Sequence, residues 1–425
     1  MTLPFIDLAA QQERIKDSLF ARIEAVVKSG NYIMGPEVGE LESKLAAFCG
    51  ARHVISCANG TDALMLAMMA LGVKRGDAVF CPSFTFAATA EMVPFVDGAT
   101  PVFVDVHDDT YNLDVESLKR AIAHAKSLGL RPAGVIAVDL FGLPADYDAI
   151  EKIAADNGLW LIDDSAQGFG GVYKGRVTGS IGKIATTSFF PAKPLGCYGD
   201  GGAIFTNDDE MARLLHSYRV HGKGAHKYDN ERLGQNSRLD TLQAGILLEK
   251  FAVYPDEIEK RQIVAERYTN GLSNLVQTPH IPEGLKSVWA QYTLQASSEE
   301  QRTKVMNALK DAGIPSVVYY PLPLHQQTAY RDFPRDPAGL AVSERLSKRV
   351  FSLPMHPYLS KADQDRIIDV IRSAPDLERK HPAPDFRQPT GPRPVGTAIG
   401  SAAIGPPQAG RCGSSAAFKT TASRA

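Results

Sequence analysis

Short apolar runs alternate with amphipathic stretches over most of this chain. Leu41–Phe48, Asp62–Leu71 and Asp146–Asn157 space their apolar residues as helices do. Around them come Ala78–Pro82 (AVFCP), Pro101–Val106 (PVFVDV), Gly134–Asp139 (GVIAVD), Leu159–Asp163 (LWLID), Ile184–Phe190 (IATTSFF) and Gly202–Thr206 (GAIFT), short runs with the character of strands. Their apolar residues do not alternate with polar ones, so both faces of each strand must be covered. Such strands interleaved with helices predict an α/β fold with a mostly parallel central sheet. Ligands of these sheets sit at the carboxyl ends of the strands. From Leu239 a helical pattern (LDTLQAGILLEKFAVY) leads away, with a stop expected near Pro255. Beyond Pro279 a strand at Val288–Ala296, a helix at Glu299–Ala312, a strand at Val317–Tyr320 and a final helix at Lys361–Ser373 read as a smaller C-terminal α+β domain. The expected division is 1–250 as a large domain, 251–378 as a small one, and 379–425 as a tail.

Composition changes this picture at one place. From His381 to Ala425 the chain has seven prolines, six glycines and one acid, Asp385. Such a segment buries too little apolar surface to offset its ordering entropy, so a disordered tail is expected. Elsewhere 44% hydrophobic residues, 22% charged residues and a formal net charge of −2 favour neither a nucleic-acid nor a membrane partner. The five cysteines, Cys49, Cys57, Cys81, Cys197 and Cys412, show no CxxC spacing, which argues against a zinc site or a disulfide framework. The start, MTLPFIDLAAQQERIK, lacks a basic region followed by an apolar core. The expectation is a cytoplasmic protein with no bound metal.

The polar signals gather where strands end. In FFPAKPLGCYGDGG, Lys193 lies between Pro191 and Pro194 and is followed by Gly196, Gly199, Gly201 and Gly202. A loop lysine is ordinarily a solvated cation. Here stiff backbone and glycines that admit a ligand favour a nucleophilic amine. Ala58-Asn59-Gly60-Thr61-Asp62 opens a helix and reads either as a plain N-cap or as a cradle for one phosphate. Leu161-Ile162-Asp163-Asp164 ends a strand in two acids, which could cap the next helix or face the nitrogen of a bound ring. Phe86, after Pro82-Ser83-Phe84-Thr85, is either core or a platform for a flat ring. A lysine, an acid, a phosphate cradle and an aromatic together make up the inventory of a pyridoxal phosphate site.

Gly60-Thr61-Asp62-Ala63-Leu64, Asp164-Ser165-Ala166-Gln167, Ser188-Phe189-Phe190-Pro191-Ala192-Lys193 and Gly199-Asp200-Gly201-Gly202 resemble, in order, the motifs of the DegT/DnrJ/StrS family. These are PLP-dependent aminotransferases of nucleotide-linked keto-sugars. The resemblance runs from about Phe5 to Ile371 and implies the fold-type I aminotransferase architecture, as a homodimer with shared active sites. It implies that Lys193 carries the cofactor covalently and that Asp164 pairs with the pyridine nitrogen. Gln167 would lie near the ring hydroxyl, Phe86 would stack on the ring, and Gly60, Thr61 and Ser188 would hold the phosphate. Asn236 would reach the cofactor phosphate of the neighbouring subunit. Ile55–Leu64, Pro194–Asp200 and Asn236–Asp240 are similar to the branch that aminates C3 of UDP-2-acetamido-2-deoxy-3-oxo-hexuronates from glutamate, for bacterial surface polysaccharide. Arg238, Tyr320 and His325 would then contact the sugar nucleotide. Transamination of another UDP- or dTDP-keto-sugar is the alternative, and a PLP-binding regulatory protein without turnover is a more distant one.

Overall fold

The computed structural model describes residues 3–374, Lys227 apart; the tail expected at 379–425 lies outside them. Seven strands form the central sheet: β1 (His53–Cys57), β2 (Asp77–Pro82), β3 (Thr100–Val104), β4 (Arg131–Val138), β5 (Trp160–Asp164), β8 (Ile184–Ser188) and β9 (Gly202–Thr206). Between β5 and β8, the two-residue strands β6 (Val172–Tyr173) and β7 (Arg176–Val177) join β10 (Leu285–Lys286) in a small second sheet. The central order is β1-β9-β8-β5-β4-β2-β3. All its pairings are parallel except those of β9, which runs antiparallel to both neighbours.

Period-two alternation sorts the strand residues onto two cores. Val79, Cys81, Ile136 and Ile162 pack with the helices Gly60–Ala70 and Ala88–Phe95 on one face. Ala78, Phe80, Val135, Ala137 and Leu161 pack with the helices Val115–Ser127 and Tyr147–Asn157 on the other. Both faces are therefore covered, as the unbroken apolar runs require. At the end of β5 the same alternation sends Asp163 and Asp164 to opposite faces.

Two sequence expectations are corrected. The helix expected to stop near Pro255 runs unbroken from Thr241 to Leu272. A proline removes one backbone donor from a helix, but packing on both sides of it holds the rod together. Leu247, Tyr254 and Ile258 belong to one core, Val264, Tyr268 and Leu272 to the next. The domain boundary expected at residue 250 thus falls inside a helix that serves two cores. The strand expected at Val317–Tyr320 does not form; Val317 makes a single bridge to Ser352. The small two-stranded sheet pairs β11 (Tyr292–Gln295) with β12 (Val350–Leu353) instead.

The four described cysteines are all buried and unpaired by disulfides. Burial pushes the Cys49 and Cys197 thiols up to about 11. It pushes Cys57 and Cys81 further still. Among the described residues no helix is long and apolar enough to cross a membrane. None of their His, Cys, Asp and Glu side chains group so as to hold a metal.

Candidate active site

The parallel register brings three residues level at the carboxyl edge of the sheet. Val138 on β4 pairs with Asp164 on β5, which pairs with Thr186 on β8. Above this row opens a cavity of ≈ 700 Å³ lined by Lys193, Asp164, Gln167, Phe86, Gly60, Thr61, Ser188 and Tyr320. Eight of the eleven residues singled out in the sequence therefore meet in one place.

Backbone hydrogen bonds fix the lysine loop. Phe189 N–H donates to Gly201 O at 2.7 Å, Cys197 N–H to Phe189 O at 2.7 Å, and Lys193 N–H to Phe190 O at 2.8 Å. Gly196 is required in that ring, since a Cβ there would lie 2.5 Å from Phe190 O. Lys193 is half-buried at the cavity edge. Desolvation of its amine pulls the pKa down to about 8, against the opposing pull of Asp164. A neutral, nucleophilic amine is thereby made accessible near physiological pH.

Asp164 is buried, and one carboxylate oxygen accepts from Thr89 Oγ1 at 2.9 Å. Burial raises its pKa above the ordinary carboxylate range, offset in part by Thr89, the Ala166 N–H and Lys193. A buried carboxylate with so few donors favours a cation beside it, such as a protonated ring nitrogen.

At the helix Gly60–Ala70, Asn59 Oδ1 caps the N–H of Asp62 at 2.8 Å. The N–H groups of Gly60 and Thr61 at this helix start have no intrahelical acceptor. A Cβ on Gly60 would lie 2.6 Å from Ser188 Cβ, so only glycine lets the helix start come down on β8. Gly60→Ala should separate the two and weaken cofactor binding by about tenfold or more. Absorbance titration of cofactor-free protein measures this, and an unchanged affinity would remove Gly60 from the cradle.

Phe86 is 58% exposed although it faces the cavity, so its ring is free to stack. The amide of Gln167 is already engaged: Oε1 accepts from Phe141 N–H at 2.8 Å and Nε2 donates to the Tyr320 hydroxyl at 3.0 Å. The other three predicted residues do not line the cavity. Asn236 is exposed and Arg238 half-buried, on the loop that enters the long helix. His325 is buried, with Nδ1 2.7 Å from Ser83 Oγ and Nε2 3.1 Å from Glu344 Oε1, so both ring nitrogens are occupied. A second cavity of ≈ 770 Å³, lined by Gln295, Lys304 and Arg349 among others, contains none of the predicted groups.

Sequence reading missed Thr89, Thr186 and Gln291. Thr89 lies one helical turn beyond Phe86, a spacing that could have flagged it. Thr186 and Gln291 line the cavity, and the Thr186 hydroxyl and the Gln291 Oε1 are buried without a partner. Nothing in their local sequence marks them.

A family model described as the DegT/DnrJ/EryC1/StrS aminotransferase family matches residues 13–372. The chain belongs to that family. It is 49% identical to the UDP-2-acetamido-2-deoxy-3-oxo-D-glucuronate aminotransferase of Pseudomonas aeruginosa, over 85% of this chain and 97% of that one. A solved family aminotransferase from Brucella abortus superposes with a TM-score of 0.84 at 53% identity, covering 87% of this chain and 98% of its own. NtdA of Bacillus subtilis, solved with bound cofactor PMP, superposes with a TM-score of 0.77 at 27% identity, covering 87% and 84%. This aminotransferase accordingly has the fold-type I architecture of the family, built on the mixed but mostly parallel sheet described above.

Proposed function

We propose that the cavity is the active site of a PLP-dependent aminotransferase for a nucleotide-linked keto-sugar. The best-supported substrate is UDP-2-acetamido-2-deoxy-3-oxo-glucuronate, aminated at C3 with L-glutamate as donor, for O-antigen or related surface polysaccharide. The observation that carries the reading is the meeting, in one cavity, of a lysine with a depressed pKa, a buried acid and a helix start opened by glycine. The relative of matching name supports the sugar.

The cofactor is pyridoxal 5′-phosphate, and the residues present fit it. Gly60, Thr61 and Ser188 would receive the phosphate, Phe86 the ring face, Asp164 the ring nitrogen and Lys193 the aldehyde carbon. Thr186 also lines the cavity, and its buried hydroxyl has no partner in the protein. When bound, the cofactor would supply an electron-withdrawing ring that acidifies the C–H bond on the carbon bearing the attached amino group. Asp164 would keep the ring nitrogen protonated. The Lys193 amine would take the proton from the α-carbon of glutamate and, in the reverse half, deliver one to C3 of the sugar. Tyr319, Tyr320 and Phe190 line the cavity with aromatic surface. Asn236 and Arg238, outside this cavity, are proposed to act in the site of the second subunit of a cytoplasmic homodimer.

The test supplies glutamate with a panel of keto-sugar nucleotides made in situ and follows 2-oxoglutarate release. Turnover should be fastest with the UDP-linked 3-keto uronate. Preference for a 4-keto or dTDP-linked sugar would overturn the substrate assignment.

A further inference from the structure

Behind the cavity, on the opposite face of the sheet, lie two carboxylic acids that the chemistry above does not use. Asp139, Asp163 and Tyr147 are each 0% exposed. The Tyr147 hydroxyl lies 2.6 Å from Asp139 Oδ1 and 2.8 Å from Asp163 Oδ1. Asp139 Oδ1 also accepts from Ala145 N–H at 2.9 Å, and Asp163 Oδ2 from Gly179 N–H at 2.9 Å. No N–H or O–H donor reaches Asp139 Oδ2, and the Asp139 and Asp163 carboxyls are themselves within hydrogen-bond reach of each other. One phenol has one proton and can donate to only one carboxylate. Two short contacts to one hydroxyl, beside a direct carboxyl–carboxyl contact, are favourable together only if one carboxyl is protonated and donates to the tyrosine oxygen or to the other carboxyl. Asp139, with an oxygen that no donor reaches, is the acid that costs most to ionise, and Asp163 keeps two donors for its charge.

We propose that Asp139, Tyr147 and Asp163 share a single extra proton and that this protonated bracket positions Asp164 and Gln167 for the reaction. The inference rests on the aminotransferase reading above. The bracket reaches both residues through backbone. Asp139 N–H donates to Asp164 O at 3.1 Å. Asp139 also packs on Gly168, where a Cβ would lie 2.3 Å from that of Asp139, and Gly168 directly follows Gln167. Gly168 O in turn accepts from Thr178 Oγ1, tying the turn to the loop that donates to Asp163.

The charges facing the bracket reinforce the need for the proton. Asp164 is adjacent on β5. Tyr173 stands edge-on to Tyr147 at 5.5 Å, with its hydroxyl donating to Asp146. The Cys49 thiol feels Asp163 from the helix Pro36–Cys49. These groups are neutral or anionic; the cations beyond Tyr173, Lys174 and Arg176, stack on its ring and pair with Asp148 and Glu151 rather than with the bracket. Consistent with this, burial pushes Asp163 up to about 7, and burial with the charge of Asp163 pushes Asp139 well above the carboxylate range.

The sign follows from linkage. An acid whose pKa rises on folding binds its proton more tightly in the folded state, so stability falls as pH rises from the ordinary carboxylate value through the folded one. Asp139→Asn keeps a donor toward Tyr147 but has no proton to lose. Cofactor-loaded wild type, Asp139→Asn and Tyr147→Phe are to be compared from pH 6 to 9.5 by thermal midpoint and by rate of the glutamate half-reaction. The wild-type midpoint and rate should decline together on the alkaline side, and Asp139→Asn should flatten that decline. Tyr147→Phe should slow the half-reaction about tenfold at pH 7, as displaced groups do. If Asp139→Asn tracks the wild-type pH curve in both measurements, the shared proton is refuted; if Tyr147→Phe leaves the rate unchanged, the positioning role is. The thermal midpoint requires no sugar substrate, so a failed sugar assignment and a failed bracket are told apart.

Discussion

Lys193→Ala should lose transamination by about four orders of magnitude, the upper range for a positioned acid–base group. It should still bind the cofactor, because the cradle at Gly60, Thr61 and Ser188 and the face of Phe86 are untouched. Borohydride reduction followed by peptide mass mapping should find the cofactor on Lys193 of the wild type and nowhere on the variant. A reducible linkage surviving in the variant would show that another amine is the nucleophile. The wild-type amine also carries a pH signature. With a pKa of about 8, roughly a tenth of it is neutral at pH 7, against about 0.03% for an ordinary lysine. Covalent capture of the cofactor by cofactor-free enzyme should therefore accelerate as pH rises through about 8 and level off above it.

Asp164→Asn should retain the cofactor yet lower kcat by about a thousandfold, the scale for removing one preorganised electrostatic partner. In the proposed site, the charge of Asp164 would make the ring nitrogen hold its proton. A neutral amide of the same shape keeps the hydrogen-bonding geometry and removes that pull. The carboxylate also raises the pKa of Lys193. In Asp164→Asn the capture limb should consequently move below pH 8, a shift that simple misfolding of the site does not produce. Near-normal turnover with an unshifted limb would refute the electronic role.

The sequence made the chemistry legible where a residue type is constrained by what it does. Lys193 between prolines, the acids ending LWLIDD and the glycine at the start of a helix each need that residue at that place. Pro255 misled because local propensity says a helix stops there, while the two cores that flank it decide otherwise. Val317–Tyr320 is β-rich in composition, yet its tyrosines serve the cavity wall rather than a ladder. Thr186 and Gln291 were invisible because their importance lies in what they lack, a partner, and only three-dimensional surroundings show that. The bracket behind Asp164 was equally hidden. Asp139, Tyr147 and Asp163 come from different elements, and the alternation along β5 separates the acid that meets the cavity from the one that meets Tyr147.

The buried cysteines give this enzyme an internal clock for opening. A thiol reacts as its thiolate, so sulfurs that are both enclosed and held protonated are silent in the closed molecule. With Cys412 replaced by serine, the remaining four sit in different parts of the architecture: Cys49 ends a helix, Cys57 ends β1, Cys81 lies one residue before the end of β2, and Cys197 closes the lysine loop. The order in which an alkylating reagent reaches them under mild denaturant would chart which part of the enzyme lets go first, without a spectroscopic label.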